Sequence, residues 1–86
     1  MNNLKEKVYE YITSNIINGE IIQKEQKIYS TIEECQMAVR DYIETHNLGA
    51  GNWSGGYVFD EYDNQEGYIS YNGKYWEKGS KYYIEG

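Results

Sequence analysis

The residues with the greatest capacity for chemistry are one cysteine, one histidine and a group of carboxylates. Cys35 and His46 fall on the same stripe of a predicted helix, but eleven residues separate them, which is about 16 Å along a helix axis. They therefore cannot share a metal ion or a proton. We interpret Cys35 as a small buried hydrophobe with no base beside it, and His46 as a favourable cation or polar group in the last helical turn.

The carboxylates are most concentrated at Asp60, Glu61, Asp63 and Glu66. Their spacing does not match an EF-hand, because Tyr62 stands at the third ligand position and Gln65 where glycine is required. We therefore expect a solvated acidic rim and no metal site. Because no nucleophile is paired with a base and no cofactor fingerprint is present, the sequence predicts a protein that is not an enzyme and holds no cofactor.

The stretch 49–56 is rich in glycine but is not typical of a phosphate-binding loop. Such loops run from a strand into a helix, whereas this one follows a predicted helix and precedes a predicted strand. We expect a helix cap and a mobile connection. Trp53 within it is either pinned into the core or offered to a partner.

Two helices are predicted in the first half of the chain. Apolar residues at three- and four-residue spacing predict the first over Leu4–Asn18, ended by Gly19: Leu4, Val8, Tyr11, Ile12 and Ile16. The second begins at Ser30–Glu34, because a serine or threonine with glutamate three residues later forms a capping box, and ends at 47–49. The stretch 20–29 between them is predicted as a strand.

The second half favours strands and tight turns. Predicted strands cover about 56–62 and 81–85, and an Asn72-Gly73 hairpin lies between them. A two-residue turn there would place Ile69 opposite Trp76, on the sheet face against the helices. The expected fold is one α+β domain over residues 1–86, with two N-terminal helices packed on one face of a C-terminal antiparallel meander of three to four strands.

Composition points to partners of one kind. The net charge is −6 and the isoelectric point about 4.6, which disfavours direct contact with nucleic acid or an anionic membrane. A single cysteine and the lack of a signal peptide or an apolar span indicate the cytoplasm. The 11 tyrosines exceed what one small core can absorb, and tyrosine beside carboxylate suits an interface with a basic protein surface.

We therefore predict a small non-enzymatic binding or inhibitor protein that engages a basic protein surface, for example the nucleic-acid groove of an enzyme, by DNA mimicry. In size, charge and tyrosine content the chain resembles small acidic phage and plasmid proteins that block restriction or CRISPR nucleases, although no motif carries the likeness. Two alternatives stay open: a module that binds a small molecule or peptide through an aromatic sheet face, and a homo-oligomeric structural subunit. The candidate partner-binding residues are Trp53, Asp60, Glu61, Tyr62, Asp63, Glu66, Tyr68, Tyr75 and Glu77.

Overall fold

The computed structural model describes residues 9–18 and 20–86, which form mostly β-sheet with a single α-helix. The elements are β1 (Tyr9–Ile17), β2 (Glu20–Tyr29), α1 (Ile32–Thr45), β3 (Trp53–Phe59), β4 (Gln65–Ile69) and β5 (Tyr75–Glu77). The strand order is β2-β1-β3-β4-β5 and every neighbouring pair is antiparallel. Within the described residues, β2 and β5 are therefore the two edges of the sheet.

The predicted fold with two helices and a small meander is wrong, because residues 9–17 of the first predicted helix form strand β1. β1 is the second strand of the sheet and pairs with β2 and β3. Its tyrosine, threonine and isoleucine residues fit a pleated surface better than a helix. Asn18, with a φ of 53°, turns the chain into β2 instead of ending a helix. Leu4 and Val8 of the predicted helix lie outside the described residues.

The second predicted helix is confirmed as α1. The Thr31 hydroxyl accepts from the amide of Glu34, and the Glu34 carboxylate accepts from the amide of Thr31, both at 3.1 Å. Asn47, with a φ of 53°, follows the helix in the left-handed region that ends helices. Across residues 9–18 and 20–86, no helix is both long and apolar enough to cross a bilayer.

The core lies between α1 and one face of the sheet, which we call the inner face. Cys35, Val39, Tyr42 and Ile43 of α1 are buried in one cluster with sheet residues that include Tyr11, Val58 and Ile69. Gly56 lets the helix approach β3, because a Cβ at this position would lie 2.8 Å from the Val39 side chain. The opposite face, which α1 does not cover, we call the outer face.

The β4–β5 hairpin has a register one residue away from the prediction. Ile69 pairs with Tyr75, and Tyr68 with Trp76. The loop holds three residues because Ser70 pairs with Lys74, and only its last residue, Gly73, has a positive φ (86°). A shift of one residue exchanges the two faces of a strand, so Tyr75, and not Trp76, lies on the inner face and packs against the core.

The predicted last strand, Lys81–Glu85, is not formed. Residues 80–83 make a turn in which the amide of Tyr83 donates to the Ser80 carbonyl. The chain then runs beside the sheet without forming a backbone ladder. A side chain holds it there, since the side-chain amide of Gln65 donates to the Ile84 carbonyl at 2.9 Å. Tyr82 packs edge-on against Trp76 with ring centroids 4.7 Å apart. The segment 78–86 thereby covers part of the outer face.

Candidate functional site

The topology collects carboxylates at one end of the sheet. β1 and β4 start at this end, β2, β3 and β5 finish there, and α1 begins there because it directly follows β2. We call this region the acidic end, and it is defined by the carboxylates of Glu10, Glu33, Glu34, Asp60, Glu61, Asp63, Glu66 and Glu77. Glu33 and Glu34 lie in the first turn of α1, where the positive end of the helix dipole stabilises a carboxylate.

The β3–β4 turn is the most exposed part of the acidic end. The Asp60 carboxylate accepts from the amides of Tyr62 and Asn64, at 2.8 and 2.9 Å, and the Asp60 amide donates to the Asn64 carbonyl. These bonds fix the turn and occupy Asp60 within it. Glu61 and Asp63 are exposed beside Tyr62, whose side chain is 73% exposed. The turn therefore offers two carboxylates and one aromatic ring to a partner.

Two depressions lie at the acidic end. One, of about 260 Å³, is lined by Glu10, Ile28, Asp60, Glu61 and Asp63. The other, of about 310 Å³, lies beside the start of α1 and is lined by Tyr9, Ile32, Glu66, Tyr75, Glu77 and Lys78. The first is lined by four carboxylates and one isoleucine, and the second by two carboxylates, one lysine and three apolar or aromatic side chains. Both place carboxylates beside apolar surface, which is suited to a cationic side chain that carries an apolar stem.

Tyr75 lies in the second depression with its ring against the backbone of Gly67, where any Cβ would collide with it. Burial, with smaller effects from neighbouring charges that include Glu66 and Glu77, raises the pKa of its phenol to about 12. The phenol is thus neutral at neutral pH. It offers an uncharged hydroxyl among carboxylates and is not a base.

The structure does not gather all the predicted partner-binding residues on one surface. Asp60, Glu61, Tyr62, Asp63, Glu66, Tyr75 and Glu77 lie at the acidic end. Trp53 is buried in the core, where its indole donates to the Thr13 hydroxyl at 2.6 Å. Tyr68 is buried on the outer face, with its ring 5.6 Å from that of Tyr57. These two residues therefore support the fold and are not available to a partner.

Cys35 and His46 are placed as the sequence predicts. Cys35 is fully buried, and burial, with a smaller effect from Glu34, raises the pKa of its thiol to about 11. His46 caps the end of α1, and its Nδ1 lies 2.9 Å from the Tyr42 carbonyl oxygen. The part of the chain that the structure describes brings together no three histidine, cysteine or acidic side chains able to hold a metal ion.

Sequence reasoning misses two features of the surface. The apolar periodicity places Glu10 in a helix, and its true position beside the β3–β4 turn follows from strand order, which no local pattern indicates. The second feature is a groove of about 320 Å³ on the outer face, whose lining includes Ile12, Ile21, Tyr57 and Phe59. The alternation of Tyr57 and Phe59 is a signal for an apolar outer face.

Comparison with protein-family models, curated proteins and solved structures finds no match for this chain.

Proposed function

We propose that this protein is a non-enzymatic binding protein that uses its acidic end to engage a basic surface of another protein in the cytoplasm. The observation that carries this proposal is the convergence of carboxylates from β1, α1, β4, β5 and the β3–β4 turn on a single end of the sheet. A single surface carboxylate says little about which partner a protein binds. A set held on a rigid sheet creates a local field that attracts and aligns a cationic partner.

The partner class that fits best is a protein whose basic groove normally holds nucleic acid. Carboxylates in such a groove replace phosphates, and the exposed Tyr62 supplies contact area between Glu61 and Asp63. An inhibitor of a nucleic-acid enzyme, of the kind that phages and plasmids direct against host defence, is the narrower form of this proposal.

The test is an affinity capture from host lysate at low salt, followed by elution at high salt and direct binding measurements on the purified captured protein. We expect a basic nucleic-acid-binding protein whose nucleic acid is displaced by this chain. Displacement would support the narrower form. A captured protein that binds this chain and its nucleic acid together would contradict mimicry.

A matched pair of double variants tests where the contact lies. Glu61→Lys with Asp63→Lys changes the acidic end, and Glu20→Lys with Asp41→Lys makes the same change of net charge elsewhere. All four side chains are exposed. We expect at least a roughly tenfold loss of affinity for the first pair only, because salt screens charges that lie far from the contact, whereas charges at its rim still act on the partner. Equal losses in both pairs would show that net charge alone is responsible.

The outer-face groove favours a second candidate, a site for an apolar small molecule or a peptide side chain. Its walls are apolar, and the Tyr57 hydroxyl is already occupied because it donates to the Ser54 carbonyl at 2.8 Å. Burial raises the pKa of this phenol. An apolar fluorescent dye should bind there and lose affinity in Ile21→Lys but not in Ile84→Lys. Unchanged binding in both variants would exclude the groove.

A further inference from the structure

β2 is an edge strand of unusual length and exposure. It runs for ten residues, pairs with β1 along one side, and has no neighbour along the other among residues 9–18 and 20–86. Most of its side chains are exposed, including Ile21 and Ile28 at 62% and 64%. A long exposed edge with apolar residues is a template for pairing with another strand. β5, the other edge, has only three residues.

The ladder with β1 determines which β2 amides face the free side. Ile17 and Glu20 close the two-residue connection between the strands, and such a closing pair exchanges hydrogen bonds. The register shifts by one residue on β2 between Asn15 and Ile16 of β1, but β1 itself is uninterrupted. Its alternate residues Thr13 and Tyr11 therefore also exchange hydrogen bonds with their partners, Glu25 and Lys27. Lys24, Gln26 and Ile28 consequently direct their amide and carbonyl groups away from β1.

We propose that a second copy of this chain pairs with that edge, β2 against β2, about a two-fold axis at Gln26. In an antiparallel pair, two opposing residues either both direct their backbone amide and carbonyl groups toward each other or both direct them away. A two-fold axis between two identical strands therefore passes through one residue position, and that residue lies opposite its own copy. Centring on Gln26 sets Glu25 opposite Lys27 of the second copy. The same register sets Lys24 opposite Ile28.

Three neighbouring registers are unfavourable because they oppose like charges, and a fourth, centred on Ile28, pairs only residues 27–29 of β2. Centring on Lys24 or Lys27 brings two ammonium groups together, and centring on Glu25 brings two carboxylates together. Centring on Gln26 pairs residues 23–29 with no like charges opposed. Lysines on an edge strand normally oppose pairing with other strands, but here Lys27 meets a carboxylate and the Lys24 stem can cover Ile28. The edge is therefore selective for its own copy.

The decisive experiment is sedimentation equilibrium on the wild-type chain and two variants of one residue. Gln26→Pro removes the outward amide but leaves the ladder to β1, because that amide faces away from β1. Gln26→Ala is the control, since it removes the same side-chain bond to Glu10 (2.7 Å) and keeps the amide. We expect a dimer for wild type and Gln26→Ala, and a monomer for Gln26→Pro. A wild-type monomer at about 1 mM, or a Gln26→Pro dimer, would overturn the proposal.

Charge reversal tests the register independently. Lys27→Glu opposes two carboxylates across each symmetric pair, and Glu25→Lys opposes two ammonium groups, so each should weaken dimerisation about tenfold. Mixing the two variants restores opposite charges and should give a heterodimer. Circular dichroism checks that each variant folds, since Glu25 also accepts from the Tyr11 hydroxyl. Failure of folded variants to pair on mixing would contradict this register.

Discussion

Two hairpins of this protein carry the same Asn-Gly pair at their turns but differ in register. At Asn18, which has a φ of 53°, the connection is two residues long and Ile17 pairs with Glu20. At Asn72 the loop is three residues long, and the positive φ falls on Gly73 alone. The first hairpin includes the exposed edge of the sheet, whereas the second is held against α1.

The contacts of the second loop explain its register. Gln36 donates to the Gly73 carbonyl at 2.9 Å, and Arg40 donates to the Tyr71 carbonyl at 2.6 Å. The Tyr71 hydroxyl donates to the Leu48 carbonyl at 2.6 Å. A two-residue turn would not present these carbonyls to the helix in the same way. A turn dipeptide therefore allows more than one register, and tertiary contacts select among them.

The largest expected difference between the hairpins concerns one isoleucine in each. Ile69→Ala should reduce the free energy of unfolding by about 3 kcal/mol, because it leaves a cavity beneath α1. Ile21→Ala should cost less than about 0.5 kcal/mol, since its side chain is exposed. Urea unfolding of both variants measures the contrast. Equal losses would show that the first hairpin is packed as tightly as the second.

Gly73→Ala should have the next largest effect, a loss of about 2 kcal/mol of unfolding free energy. Alanine is strained at a φ of 86°, and its Cβ would lie 2.8 Å from the Arg40 side chain. Gly79 is the control, since it shares the backbone conformation (φ 89°) but a Cβ there would meet no atom within 4 Å. Gly79→Ala should cost about 1 kcal/mol. If both cost the same in thermal unfolding, the helix does not restrain the loop.

A smaller effect is expected for Tyr71→Phe, which deletes the hydrogen bond to Leu48 and should cost about 1 kcal/mol. Tyr62→Phe removes a hydroxyl from an exposed ring of the acidic end and should leave stability unchanged. Chemical denaturation measures both. An unchanged stability of Tyr71→Phe would mean that the Gln36 and Arg40 contacts hold the loop without the Tyr71 hydrogen bond.

The effect that is smallest at neutral pH is a pH dependence that originates in β5, because it develops only above about pH 10. The Tyr75 phenol keeps its proton to about pH 12 in the folded chain, against 10.0 ordinarily. Between these values the unfolded chain binds fewer protons than the folded one, so stability falls as pH rises from about 10 to about 12. Tyr75→Phe should make this decline shallower, as unfolding measured over that range would show. An unchanged slope would contradict the assigned pKa.

How far the sequence can predict the fold depends on whether the signal is local. The Thr31 and Glu34 capping box acts within one turn, and it predicts α1 correctly. In β1, Tyr11, Ile12 and Ile16 fit a helical period, whereas Tyr9, Tyr11 and Thr13 fit a strand. The apolar pattern alone cannot choose between these two periods. The Asn18-Gly19 pair, a hairpin signal, favours strands on both sides of it.

The same distinction applies to the candidate site. Asp60, Glu61 and Asp63 can be identified from the sequence because they are close together in the chain and belong to one turn. Glu10 cannot be assigned to this end in that way, because its position depends on the pairing of β1 with β3. For a related reason the sequence leaves open whether Trp53 is buried or exposed, because its hydrogen-bond partner Thr13 belongs to β1, which is distant in sequence.

Within residues 9–18 and 20–86, the concentration of carboxylates at the acidic end, with Lys74 and the Arg40–Glu44 ion pair toward the opposite end, also gives the charge distribution an electric dipole along the strands. A dipole exerts a torque that turns the molecule before contact, and this accelerates encounter with a cationic partner at low ionic strength. Two copies joined through β2 would be antiparallel, so their dipoles would cancel. Orientational steering would then be a property of the monomer, and association rates per chain would fall as the protein becomes more concentrated.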